Sequence, residues 1–117
     1  MKRIILIVFS MLWTMNASAG AVDGKIIKID IHSDNWETYN VNDKAYMSLY
    51  VDGLPKSCNQ SSGVRRVIIS QDHPLFNAAL SIAIAAKQAD KRVHINFLNT
   101  CAVRSSAWDF GYISMRE

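Results

Sequence analysis

Leu75-Phe76-Asn77-Ala78-Ala79-Leu80-Ser81-Ile82-Ala83-Ile84-Ala85-Ala86 is apolar at ten of twelve positions, with only Asn77 and Ser81 polar. These are good helix formers, Pro74 sits where a missing N–H costs nothing, and Asp72 or His73 can cap. The run therefore predicts a helix to about Ala89. Strand patterns flank it. Val64–Ser70 ahead is rich in β-branched residues, and Arg92–Leu98 behind alternates, with Val93, Ile95 and Phe97 inward and Arg92, His94 and Asn96 outward. Upstream, Lys25–Ile31 puts Ile27, Ile29 and Ile31 on one face, and Ala45–Val51 sets Met47, Leu49 and Val51 against Tyr46, Ser48 and Tyr50. Downstream, Trp108–Met115 groups Trp108, Phe110 and Tyr112 on one face and Ile113 and Met115 on the other. Ser33-Asp34-Asn35, Asp52-Gly53 and Pro55 are the breaks. Five antiparallel-type strands with one helix between the third and fourth is the element order of a mainly β, five-stranded OB-fold barrel. A ferredoxin-like fold needs two helices and an immunoglobulin sandwich about seven strands.

The helix has no polar face. A helix lying on one small barrel needs an apolar stripe only, and one that is apolar all round must be covered all round. The expectation is a subunit interface along Phe76, Ala79, Ile82, Ala83 and Ile84, giving a homo-oligomer. The competing reading is that the alanines are helix formers on a face open to water.

The first nineteen of the 117 residues read as a signal peptide. Lys2-Arg3 precedes the apolar run Ile4–Trp13, and Ala17-Ser18-Ala19 gives a small-x-small cleavage pattern. The alternative is a membrane anchor, but a run of about ten residues is half of what spanning requires. Residues 20–117 then form a single domain with eleven basic and ten acidic residues, a net charge of +1, against +3 for the whole chain. That near-neutral balance argues against a nucleic-acid surface, including single-strand binding by an OB face. Export places the chain in a secreted or periplasmic, oxidising compartment. The two cysteines, Cys58 and Cys101, then pair as one disulfide.

With those features in place the chain resembles the cell-binding B subunits of bacterial toxins, most nearly the subtilase cytotoxin B-subunit group. The likeness runs diffusely from Gly24 to Cys101. It is carried by Gly24-Lys25-Ile26-Ile27, Lys44-Ala45-Tyr46, Lys56-Ser57-Cys58, Phe76-Asn77-Ala78-Ala79-Leu80, Arg92-Val93-His94-Ile95 and Cys101. The resemblance implies a ring-shaped homo-oligomer, a pentamer whose helices line a pore, glycan recognition by the outer face of the barrel, and a toxin A subunit as partner. Two departures stand out. Asp23 takes the place of a sugar-contacting serine before the first-strand glycine, and Ser105–Glu117 replaces a cysteine-rich end.

Sugar recognition needs aromatic faces for C–H packing and polar groups for hydroxyls. Tyr46, Ser48 and Tyr50 form an outward stripe, and Trp36 and Tyr39 lie in a polar loop; with Asp23 these are the candidate ligand residues. The alternatives are tyrosines that fill an interface or cover a cross-strand neighbour, and a loop tryptophan that caps the core. His32, His73 and His94 are too far apart in sequence for a metal signature, and no cofactor motif occurs. No G-x-S-x-G elbow or placeable carboxylate pair is present, so no enzymatic activity is expected. The expected function is a non-catalytic, glycan-binding subunit. The alternative is a periplasmic protein-binding or structural OB protein with no sugar ligand.

Overall fold

The computed structural model describes residues 20–58 and 63–116. The signal-peptide reading of residues 1–19 therefore lies outside the described residues, as does Asn59-Gln60-Ser61, whose Asn-x-Ser order matches a glycosylation acceptor and is common by chance. In chain order the elements are β1 (Gly20–Ser33), β2 (Ala45–Val51), β3 (Arg66–Ser70), α1 (Phe76–Gln88), β4 (Arg92–Leu98) and β5 (Trp108–Met115). The strands close in the order β1-β2-β3-β5-β4 and back to β1, the five-strand OB arrangement with its helix between β3 and β4. All pairings are antiparallel except β3–β5, which is parallel through Val67↔Trp108 and Ile68↔Asp109 only. The expectation of five antiparallel strands is corrected at that seam.

β1 is twice the length its alternation suggested, because one strand serves two partners. Gly20–Lys25 pairs with β4, and the remainder pairs with β2. The switch is made by a bulge between Ile26 and Lys28 that leaves Ile27 without a cross-strand partner. Since side chains alternate with a period of two, one inserted residue exchanges the faces. Ile26, at the switch, is the buried isoleucine; beyond it Ile29 packs against the core on the face the alternation gave it, while Ile27, the inserted residue, and Ile31, towards the strand end, are 46% and 52% exposed. A second irregularity between Asn96 and Phe97 makes Gly111 the extra residue of β5. Trp108 and Phe110 share the inward face, but Tyr112, grouped with them by alternation, is turned to the outer face, and Ile113 takes the inward position.

The interior is filled by Met47, Leu49, Val51, Val67, Ile69, Val93, Ile95, Phe97, Trp108 and Phe110, roofed by α1. Only one stripe of that helix is covered: Ala79, Ala83 and Ala86 are buried, while Phe76, Leu80 and Ile82 pack against the core from its edges. Alanine at those three positions lets the helix axis approach the barrel closely. Ala79 and Ala83 are thereby removed from the expected subunit contact, because their own barrel occupies them. Neither Asp72 nor His73 caps through a carboxylate or second-turn bond; instead the Leu75 N–H donates to His73 Nδ1 at 3.0 Å, with Leu75 as the N-cap residue.

Candidate functional site

Three cross-strand rows make up the outer face of β1, β2 and β3. They are Lys28–Tyr50–Arg66, Asp30–Ser48–Ile68 and His32–Tyr46–Ser70. The bulge at Ile27 creates these rows, since it brings Lys28, Asp30 and His32 into line with the outward residues of β2. The two loops of an OB barrel that border this face both reach it. The β1–β2 loop, tied at its neck by Asp34 N–H to the Lys44 carbonyl at 3.0 Å, supplies Trp36. The β4–β5 loop supplies Arg104 and Ser106. Arg104 donates to Asp34 Oδ1 at 3.1 Å and so joins one loop to the other.

The β4–β5 loop holds its shape because Asp109 collects it. The carboxylate of this nearly buried residue accepts from Thr100 Oγ1 at 2.6 Å, from the Ala102 N–H at 2.9 Å and from the Val103 N–H at 3.3 Å. Ile68, though outward, lies buried beside Ala102 and Val103. Cys101 is presented by this loop to Cys58, and the disulfide read from the sequence is formed, with the two Cα atoms 6.3 Å apart. Trp108 Nε1 donates to the Pro55 carbonyl at 2.9 Å and ties the β2–β3 loop to the same corner.

The candidate residues are sorted differently from the sequence expectation. Trp36 is 70% exposed, braced edge-on against His32 with ring centroids 5.1 Å apart. Tyr50 stands between two cations, Lys28 Nζ at 4.6 Å and the Arg66 guanidinium at 5.9 Å from its ring centre; Tyr46 has the Arg104 guanidinium at 5.1 Å. Much of both tyrosine faces is thus taken by neighbours, as the cross-strand alternative held. Ser48 is 0% exposed beneath Arg66, whose Nη1 donates to its hydroxyl at 3.0 Å, so it positions another residue and does not itself meet a ligand. Tyr39 is fully open in the loop. What remains is a shallow cleft of about 290 Å³ between Trp36 and Arg66, floored by Ile31, His32 and Tyr50 and edged by Asp30. Periodicity brought Tyr46, Ser48 and Tyr50 to this face and set Asp30 opposite the isoleucines of β1, but alternation within single strands does not show which strands lie side by side, so the rows that join Asp30 and His32 to β2 and Arg66 were missed.

Asp23 is not part of this cleft. It lies where β1 pairs with β4, accepting from His94 Nδ1 at 2.6 Å and Arg116 Nε at 3.3 Å. The hydrogen bond from His94, with the Arg116 guanidinium beside it, holds the Asp23 carboxyl below the usual carboxylate range. A lowered carboxylate pKa contributes stability above its ordinary value, and that contribution disappears as pH falls through the lowered one. Asp23→Asn should therefore melt below the parent at neutral pH, and the two melting curves should converge as pH falls through the lowered carboxylate pKa and the Asp23 side chain becomes neutral. Thermal unfolding followed by circular dichroism across that range checks this.

Among the described residues no group of three or more His, Cys, Asp or Glu side chains could hold a metal ion, and no helix is long and apolar enough to cross a membrane. No protein-family model, curated protein or solved structure matches the chain.

Proposed function

We propose that the chain is an exported, non-catalytic binding subunit that recognises glycans with the outer face of β1, β2 and β3 and works as a homo-oligomer. The observation that carries this reading is the Trp36 cleft. An open indole can pack on the C–H face of a sugar ring, while Asp30, His32 and Arg66 at the rim offer an acceptor and donors for ring hydroxyls. The cleft is shallow and open to solvent, as saccharide sites are, and it rests on a closed sheet and two loops joined by Arg104 and Asp34. The Cys58–Cys101 disulfide supports a secreted or periplasmic location.

Assembly supplies what one shallow cleft lacks, since several weak sites engaged together gain orders of magnitude in avidity. The outward side of α1, where Ile84 is 42% exposed, is the surface on which copies would meet. A five-membered ring and a catalytic A-type partner follow from the toxin-subunit resemblance and belong to this proposal.

The test is a glycan array on the purified, oxidised chain, with mass from light scattering alongside. Trp36→Ala should lower glycan binding at least about tenfold, equivalent to ~1.4 kcal/mol. Ile84→Asp should dissociate the assembly and leave the barrel folded. A silent array with an intact oligomer would shift the reading to a protein-binding OB subunit.

A further inference from the structure

The cations of this face are not equivalent. Lys28 Nζ lies 3.4 Å from Asp30 Oδ2, and Arg104 Nη2 lies 3.1 Å from Asp34 Oδ1, so each has a carboxylate of its own. Arg66 has none among the described residues. Its guanidinium is half-buried at the wall of the cleft and is held by two neutral acceptors, Ser48 Oγ and Ser106 Oγ, each at 3.0 Å. Those hydroxyls fix where the group sits without cancelling its charge. Ser48 is fully buried and Ser106 comes from the Asp109-anchored loop, so the guanidinium has little freedom to swing away.

We infer that the ligand of this cleft carries an oxyanion, a sulfate ester or a carboxylate, and that Arg66 is the residue that receives it; the inference rests on the glycan reading of the face. A guanidinium keeps its charge at any working pH and has five N–H donors in a planar fork suited to paired oxygens. Two of those donors are spent on serines, and the others are left for a ligand in the cleft. Placing an anion there adds charge-assisted hydrogen bonds at a site already arranged for them, and no internal ion pair has to be broken first. Asp30 on the same rim, and Asp34 beside Arg104, repel a continuous run of negative charge. The arrangement therefore suits a sugar with a single charged substituent and disfavours a strand of phosphates.

Binding of the purified, oxidised chain should be measured against four immobilised probes: a sulfated oligosaccharide, a uronate oligosaccharide, a neutral oligosaccharide of equal length and single-stranded DNA. At least one charged saccharide should bind about tenfold or more tightly than the neutral one, and whichever does identifies the oxyanion. Arg66→Gln should remove that preference, weakening the charged saccharide about tenfold and the neutral one far less, and Arg66→Lys, which keeps a positive charge, should retain only part of the preference. Trp36→Ala should weaken every saccharide arm alike. Equal binding of charged and neutral saccharides, unaffected by Arg66→Gln, would overturn the oxyanion site and leave the glycan reading standing. No saccharide binding in any arm, or DNA bound more tightly than all of them, would overturn both.

Discussion

Gly24→Val should be the most damaging single substitution in the barrel, lowering stability by at least about 3 kcal/mol and the melting temperature by roughly 12 °C or more. A Cβ at residue 24 would stand 1.9 Å from the Asp52 carbonyl oxygen and 3.2 Å from Val51 Cγ1. The first of these is backbone, and it is held in place because the Asp52 N–H donates to the Lys25 carbonyl at 3.0 Å. The clash cannot be relieved by a rotamer change. It requires β1 to part from the β2 hairpin end at the point where β1 passes from one partner to the other. Gly53→Ala is the matched comparison: φ is +93° there, but the nearest atom to an added Cβ is 4.0 Å away, so only the left-handed backbone is penalised, at about 1–2 kcal/mol. Thermal and urea unfolding of the two variants should separate them clearly. Equal losses would mean that the close approach at Gly24 is not a constraint.

Removing the disulfide should have the next largest effect. Cys58 and Cys101 are 43 residues apart, and on the chain-entropy view closing that loop disfavours the unfolded state by about 4 kcal/mol. The folded side of the balance should change little. The loop that presents Cys101 is gathered by Asp109, and the Cys58 side is held by Trp108 Nε1 on the Pro55 carbonyl. The double variant Cys58→Ser/Cys101→Ser should therefore keep its far-ultraviolet spectrum in dilute buffer while its urea midpoint falls by about 1 M or more, on the order expected for a domain of this size. Loss of native structure without denaturant would show that the cross-link also carries the native geometry.

Element order, the core strands β2 and β4 and the pairing of the cysteines were legible because each leaves a local mark: alternation, a run of helix formers, an even cysteine count. The bulges of β1 and β5 were not. Ile27 and Gly111 are single inserted residues that leave composition unaltered: on β1 the reading held beyond the bulge, where Ile29 packs on the core, but not for Ile27 and the buried Ile26 before it, and on β5 Tyr112 and Ile113 exchange faces. The helix misled in a related way. Its alanines read as apolar all round, but alanine is small enough to serve as a close packing surface on one side and to be tolerated in water on the other, so Ala79, Ala83 and Ala86 are buried while Ala78 and Ala85 are open. At the cleft, alternation located the tyrosines. It could not tell that Ser48 would be roofed by Arg66, because that depends on a hydroxyl arriving from Ser106, forty residues further on.

Gly20 pairs with Phe97, and Val67 reaches Trp108 across the parallel seam. Neither junction joins neighbours in the chain, so the cylinder cannot be completed hairpin by hairpin as the polypeptide grows. Nothing resembling the finished interior can exist until the last strand has been synthesised, and contacts of such long sequence separation form slowly. Closure of the barrel is accordingly expected to be the late and slow step of folding, the one in which β1 meets β4 and β3 meets β5.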